Sequence, residues 1–89
     1  MVHGFTRHAR AKMRQLGLAT DAINEVLAAD DVIERYTDRT GVLLYGWTGT
    51  MEIHVVAIHD PSSGVTLVTT VYEVDREMFP DGRTRRRTT

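Results

Sequence analysis

The chain has 89 residues, 42% of them hydrophobic, a formal net charge of −1 and no cysteine. This length provides one small domain, and the lack of cysteine excludes disulfide bonds and thiolate metal sites. No apolar run is long enough to cross a membrane and no signal peptide is apparent, so we expect a cytoplasmic protein without a membrane partner.

The small net charge hides an uneven distribution along the chain. Residues 1–20 carry +4 and no acidic side chain, residues 21–34 carry −5, and residues 76–89 carry +3. Local basic patches matter more for binding a polyanion than the total charge does. The two basic segments therefore favour a nucleic-acid partner.

The first predicted helix begins after Thr6, a suitable N-cap, and ends at Gly17, a typical C′ residue. Ala9, Met13 and Leu16 recur with helical spacing and predict its buried stripe. Its remaining surface is basic, which indicates either a solvated exterior or a phosphate-binding face. We predict that four cations of this helix bind substrate phosphates: Arg7, Arg10, Lys12 and Arg14.

A second helix is predicted to begin at Thr20, and its acidic surface argues against a DNA-recognition helix. Four strands follow, at residues 32–37, 42–47, 51–59 and 65–74. The sequence therefore predicts an α+β fold, with two N-terminal helices packed on one face of a four-stranded antiparallel sheet. We assign residues 1–75 to this single domain and residues 76–89 to a flexible basic tail that contacts polyanions weakly.

The last two strands are predicted to form a long hairpin around the turn at residues 60–64. Regular pairing back from this turn places His54 opposite Thr70. One hairpin face is then expected to be the core: Ile53, Val55, Ala57, Val65, Leu67 and Val71. The other face brings together an imidazole, a hydroxyl and a phenol, from His54, Thr70 and Tyr72.

These residues suit metal-independent acid–base cleavage of RNA, in which histidine can serve as base or acid and arginine binds the phosphate. We predict His54 and His8 as the catalytic pair, with Thr70 or Tyr72 orienting the substrate or donating a proton. The alternative roles are structural: a hydrogen-bonded strand histidine and a packed tyrosine. The four histidines show no metal-ligand spacing, so we expect neither a metal nor another cofactor.

Residues 5–18 resemble the opening of a family of short bacterial proteins known only as a domain of unknown function, roughly Ser/Thr-x-His-Ala-x-x-Arg-Met-x-x-Arg-Gly-Ile. The chain has Lys12 and Leu18 at positions where that pattern often has Arg and Ile. The resemblance continues through residue 75, in an acidic second helix, an aromatic strand, a His-Val-Val strand and a closing Thr-Val-Tyr-Glu strand.

That family in turn resembles the RelE-type toxins of toxin–antitoxin systems and the wider barnase-like ribonucleases. Those proteins place helices on one face of an antiparallel sheet and cut RNA without a metal. The resemblance implies a small ribonuclease-like toxin, restrained by an antitoxin or another protein, with five residues at matching positions: His8, Arg14, His54, Thr70 and Tyr72.

Two other functions stay open. One is a non-enzymatic protein-binding module, such as a phage-encoded inhibitor or adaptor, which uses a strand edge or the open sheet face. The other is a non-catalytic nucleic-acid binder that uses the first helix and the tail. A homodimer is compatible with each of these functions.

Overall fold

A computed structural model describes residues 2–36, 41–60 and 62–86 of the protein. The elements are β1 (Val2–Phe5), α1 (Arg7–Leu16), α2 (Thr20–Ala29), β2 (Val32–Arg35), β3 (Gly41–Thr48), β4 (Met51–Asp60) and β5 (Val65–Glu73). They form an α+β fold, in which two helices pack on a five-stranded mixed sheet of order β1-β5-β4-β3-β2.

The sheet differs from the predicted four-stranded antiparallel sheet by the additional strand β1. β1 pairs in parallel with β5, and Phe5 lies opposite Val68. The other neighbouring strands are antiparallel, as predicted. Four residues that include a glycine show no clear alternation, and the partner strand lies at the other end of the chain. Local sequence patterns therefore could not reveal this strand.

The first helix forms where its sequence signals place it. The Thr6 hydroxyl accepts a hydrogen bond from the Ala9 amide at 3.0 Å and caps the N-terminus. Gly17 ends the helix with a φ of 70°, in the left-handed region that glycine adopts without strain. Ala9 and Met13 are buried against the sheet, which fixes the basic side of α1 toward solvent.

The β4–β5 hairpin contains a β-bulge that corrects the predicted register. His54 lies opposite Tyr72 rather than Thr70, and the irregularity follows Val56. The extra residue is Thr69, whose hydroxyl donates to the Val56 carbonyl at 3.3 Å and whose carbonyl accepts from the Thr6 hydroxyl at 3.0 Å. The bulge therefore also anchors the start of α1.

Two apolar clusters lie on opposite sides of the sheet. The cluster on the helix side contains Ala9, Met13, Ile23, Val26, Leu44, Ile53, Val55, Ala57, Val68 and Val71. Ile53, Val55, Ala57 and Val71 were predicted there, whereas Leu67 was wrongly assigned to the core and is 37% exposed. The second cluster is centred on Leu43, Val74 and Phe79.

The C-terminal segment covers the side of the sheet that the helices leave open. We call residues 76–86 the strap. Phe79 is 2% exposed, and strap side chains from Arg76 to Arg85 bind residues of the sheet or of the turn before β2. These residues were predicted to form a flexible tail, but the compact unit extends past residue 75 to this segment. Residues 87–89 of the predicted tail lie outside the described part of the chain.

Candidate functional site

The solvent-facing side of α1 carries a row of arginines. We call Arg7, Arg10 and Arg14 the basic ridge; all three are exposed. Their positions i, i+3 and i+7 place them on one helix face over about 10 Å along the axis. Among the described residues, none of the three forms an ion pair, and Arg10 lies 5.6 Å from the centre of the Phe5 ring. The ridge is therefore available to an external anion.

Lys12 and His8 lie apart from the basic ridge on the same helix. Lys12 is half-buried on the flank of α1 that approaches the sheet. His8 is exposed, about 100° around the helix axis from Arg7. Neither residue projects to the side of the sheet that carries His54.

His54 lies at the centre of the second side of the sheet, under the strap. Its side chain is 0% exposed, and Nε2 lies 2.8 Å from the Gly82 carbonyl oxygen. Because that carbonyl only accepts, Nε2 carries the hydrogen and donates it. The ring is edge-on to Phe79 and Tyr72, at centroid distances of 4.5 and 5.5 Å, and tilted against Tyr45 at 6.0 Å.

The environment of His54 favours its neutral form. Its Nδ1 atom is buried and has no hydrogen-bond partner within the described part of the chain. Burial lowers the pKa of His54, although the Gly82 carbonyl and the charges of Glu52 and Glu34 act in the opposite direction. His54 is therefore a neutral imidazole whose second nitrogen presents an unused lone pair.

A second polar group beside His54 is centred on Glu52, which is buried on β4. The Tyr45 hydroxyl donates to this carboxylate, and Arg76 binds it through Nε and Nη2 at 2.8 and 2.9 Å. Trp47 Nε1 donates in turn to the Tyr45 oxygen at 3.0 Å. Burial, followed by the bond to Glu52, raises the pKa of Tyr45. The network fixes one end of the strap to β3 and β4.

Two further ion pairs hold the strap along the β2 side of the sheet. Arg83 binds both oxygens of Asp31 at 2.6 and 2.7 Å, and Arg85 binds those of Glu34 at 3.0 and 3.1 Å. The hydrogen bond from Arg83 lowers the pKa of Asp31. These pairs were not predicted from the sequence, because only the opposite net charges of residues 21–34 and 76–89 indicate them.

The structure brings some of the predicted catalytic residues together and separates others. Tyr72 contacts His54, and burial raises the pKa of this tyrosine. Thr70 shares their side of the sheet but lies opposite Val56. His8 lies with α1 on the other side, so the sheet stands between the two imidazoles. A mechanism in which His8 and His54 act on one phosphate is therefore not supported.

Within residues 2–36, 41–60 and 62–86, no three histidine, aspartate or glutamate side chains converge as metal ligands. Neither of the two ten-residue helices in this part of the chain has the length or apolar character to cross a bilayer.

Together these features define a small α+β domain with a basic helix on one side of a sheet and a covered histidine on the other. The sequence profile of a domain of unknown function, DUF4258, matches residues 5–73, and the chain belongs to this family. Its assignment to an uncharacterised family is thus confirmed. Searches of curated proteins and of solved structures give no match. The profile ends with β5, before the strap.

Proposed function

We propose that this protein is an RNA-directed, toxin-like protein that binds RNA phosphates through α1. The observation that carries the proposal is the basic ridge. Arg7, Arg10 and Arg14 are exposed on one face of a helix whose whole sequence contains no acid. An arginine fork can bind two phosphate oxygens at once, and three such forks in a row suit successive phosphates of a strand.

The preference for RNA over DNA rests on the resemblance to RelE-type and barnase-like ribonucleases. The helices packed on one side of the sheet agree with the arrangement that this resemblance implies. An antitoxin-like partner that restrains the protein belongs to the same proposal.

Metal-independent cleavage forms a second part of the proposal and uses the other side of the sheet. There, His54 Nδ1 has the lone pair needed to take a proton from a 2′-hydroxyl, and Tyr72 has a proton for the leaving 5′-oxygen. The ribose oxygen would then attack the adjacent phosphate, forming a 2′,3′-cyclic phosphate. In the present arrangement the strap stands between His54 and solvent, so this reaction requires the strap to move.

RNA binding can be tested with a labelled single-stranded RNA, measured by fluorescence anisotropy. Replacing Arg7, Arg10 and Arg14 together with Glu should abolish binding, because the ridge would then repel phosphate. Unchanged affinity of this variant would contradict the proposal. Circular dichroism of each variant verifies that the fold is retained.

A matched pair of single substitutions distinguishes RNA binding by the basic ridge from attraction by the overall charge of the protein. Arg14→Glu and Arg35→Glu change the net charge equally, and both side chains are exposed. Arg35 lies on β2, the edge strand farthest from β1. We expect Arg14→Glu to weaken RNA binding severalfold more than Arg35→Glu. Equal effects would indicate attraction by the whole protein rather than by α1.

A further inference from the structure

The strap covers His54, the most buried titratable group among the residues that the structure describes. It lies outside the DUF4258 match, yet its Gly82 carbonyl takes the hydrogen bond of His54 and its Phe79 ring packs edge-on to that imidazole. Gly82 has a φ of 80°, and an added Cβ would collide with the Glu52 carboxylate. The fit between strap and sheet is therefore close at His54.

The closed strap accommodates only the neutral imidazole. A protonated histidine has two N–H donors, and Nε2–H is already bound to Gly82. A proton on Nδ1 would be buried without an acceptor among the described residues. A buried charge that lacks such a partner is strongly unfavourable. Protonation of His54 therefore opposes closure of the strap.

The charged and titratable groups that face His54 do not supply the missing partner. Tyr45 on β3 and Tyr72 on β5 present their rings. Glu52 on β4 is bound by Tyr45 and Arg76. Glu34 on β2 is bound by Arg85 of the strap. Both carboxylates favour the imidazolium at a distance, but burial outweighs them.

The remaining attachments of the strap lie nearer solvent. The side chains of Arg76, Arg83 and Arg85 are each about half-exposed in their ion pairs. The pairs of Arg83 with Asp31 and of Arg85 with Glu34 contact water and contribute little individually. Arg76 instead binds the buried Glu52 carboxylate and holds the start of the strap. The central contacts of Phe79 and Gly82 with His54 are therefore the ones whose loss would free the strap beyond Arg76.

We propose that residues 76–86 are a proton-operated cover: protonation of His54 releases the strap from the sheet and exposes His54 and Tyr72 to solvent. The cover opens as the pH falls through the range in which an exposed histidine becomes charged. The cover acts whether or not α1 binds RNA, so the proposal of RNA binding and the proposal of the cover can be tested independently. The released His54 carries a proton on Nδ1 and must return it to solvent before that atom can act as a base.

Amide hydrogen exchange of the full chain, followed by NMR and expressed as protection factors, tests this cover. The amides of Phe79, Gly82 and Arg86 report on the strap, because they donate to carbonyls within it or at its start. Between pH 7.5 and 5.5 we expect their protection to fall about tenfold, the change expected at one unit below an ordinary imidazole pKa. The amides of Ile53 and Val55 on β4 should remain protected.

Two variants identify the group whose protonation releases the strap. His54→Gln keeps a donor for the Gly82 carbonyl but does not titrate, so its strap protection should not depend on pH. His8→Gln removes an exposed imidazole on the other side of the sheet and should behave like the wild-type protein. In addition, the ring resonances of His54 should titrate with the same midpoint as strap release in the wild-type protein.

Three results would overturn the cover. One is a strap that stays equally protected at both pH values. Another is the same loss of protection in His54→Gln as in the wild-type protein. The third is simultaneous loss of protection in strap and β4, which would indicate global unfolding. If His54→Gln fails to fold, a strap midpoint that differs from the His54 titration in the wild-type protein refutes the cover by itself.

Discussion

The neutral state of His54 predicts a loss of stability in mild acid. Its pKa is lowered in the folded protein, so the unfolded chain binds a proton more readily. The contribution of His54 is therefore complete above the unfolded pKa of about 6.5 and is lost as the pH falls below it. Asp31 and Asp81 have lowered pKa values and remain charged throughout this range.

The size of this loss has an upper limit. At pH 5.5, one unit below the unfolded pKa, protonating a single histidine in the unfolded chain changes the free energy of unfolding by at most about 1.4 kcal/mol. For a domain of this length that corresponds to a fall in Tm of about 7 °C. If the strap opens first, His54 can become protonated in the folded protein and the loss is smaller.

Urea unfolding at pH 7.5 and 5.5 measures this difference. We compare the wild-type protein with His54→Gln. His8→Gln is the control, because it removes a histidine that is exposed to solvent. The wild-type protein and His8→Gln should lose stability between the two pH values, whereas His54→Gln should lose clearly less. Equal losses in all three proteins would refute the assignment of the pH dependence to His54.

Three further predictions follow from the two sides of the sheet. Gly82→Ala should push the strap away, so diethyl pyrocarbonate should modify His54 at pH 7.5 at a rate approaching that of exposed His8; an unreactive His54 in this variant would contradict the close fit. Binding of single-stranded RNA should show a log–log salt slope of about −2 if three phosphates are contacted, or about a 20-fold loss of affinity between 50 and 200 mM salt. A slope near zero would exclude the basic ridge as the RNA-binding surface. Any RNA cleavage in excess EDTA should fall with His54→Ala and persist in His8→Ala, and the reverse pattern would exclude the His54 side as the reaction site.

The hairpin shows which parts of the site local sequence patterns could predict. Next to the turn, the true register differs from the predicted one by one residue, which exchanges the faces of Leu67 and Val68. Beyond the bulge at Thr69, the true register differs from the predicted one by two residues. Because side chains alternate along a strand, a shift of two residues leaves each side chain on its predicted face. The prediction therefore placed His54 and Tyr72 on one side correctly, although it paired His54 with the wrong residue.

The two elements that were not predicted from the sequence, β1 and the ordered strap, depend on contacts between distant segments of the chain. β1 exists because β5 provides its hydrogen bonds, and the strap is ordered by carboxylates on or beside distant strands. In the strap sequence only Phe79 is both large and deeply buried, so hydrophobic periodicity gave no signal there. By contrast, α1 was predicted with its ends because Thr6 and Gly17 act within the helix itself.

The separation of the two sides also bears on how one RNA could use both. An RNA that covers only the basic ridge lies on the helix side, whereas His54 lies beneath the strap on the other side. The shortest dimension of the molecule is 22 Å, so a strand held by α1 must pass around a sheet edge to reach His54. Binding should therefore need only a short RNA, whereas cleavage that depends on the ridge should need a longer one. If cleavage of short and long RNAs depends equally on Arg7, Arg10 and Arg14, the ridge and the reacting groups act at one place, and the assignment of chemistry to His54 is wrong.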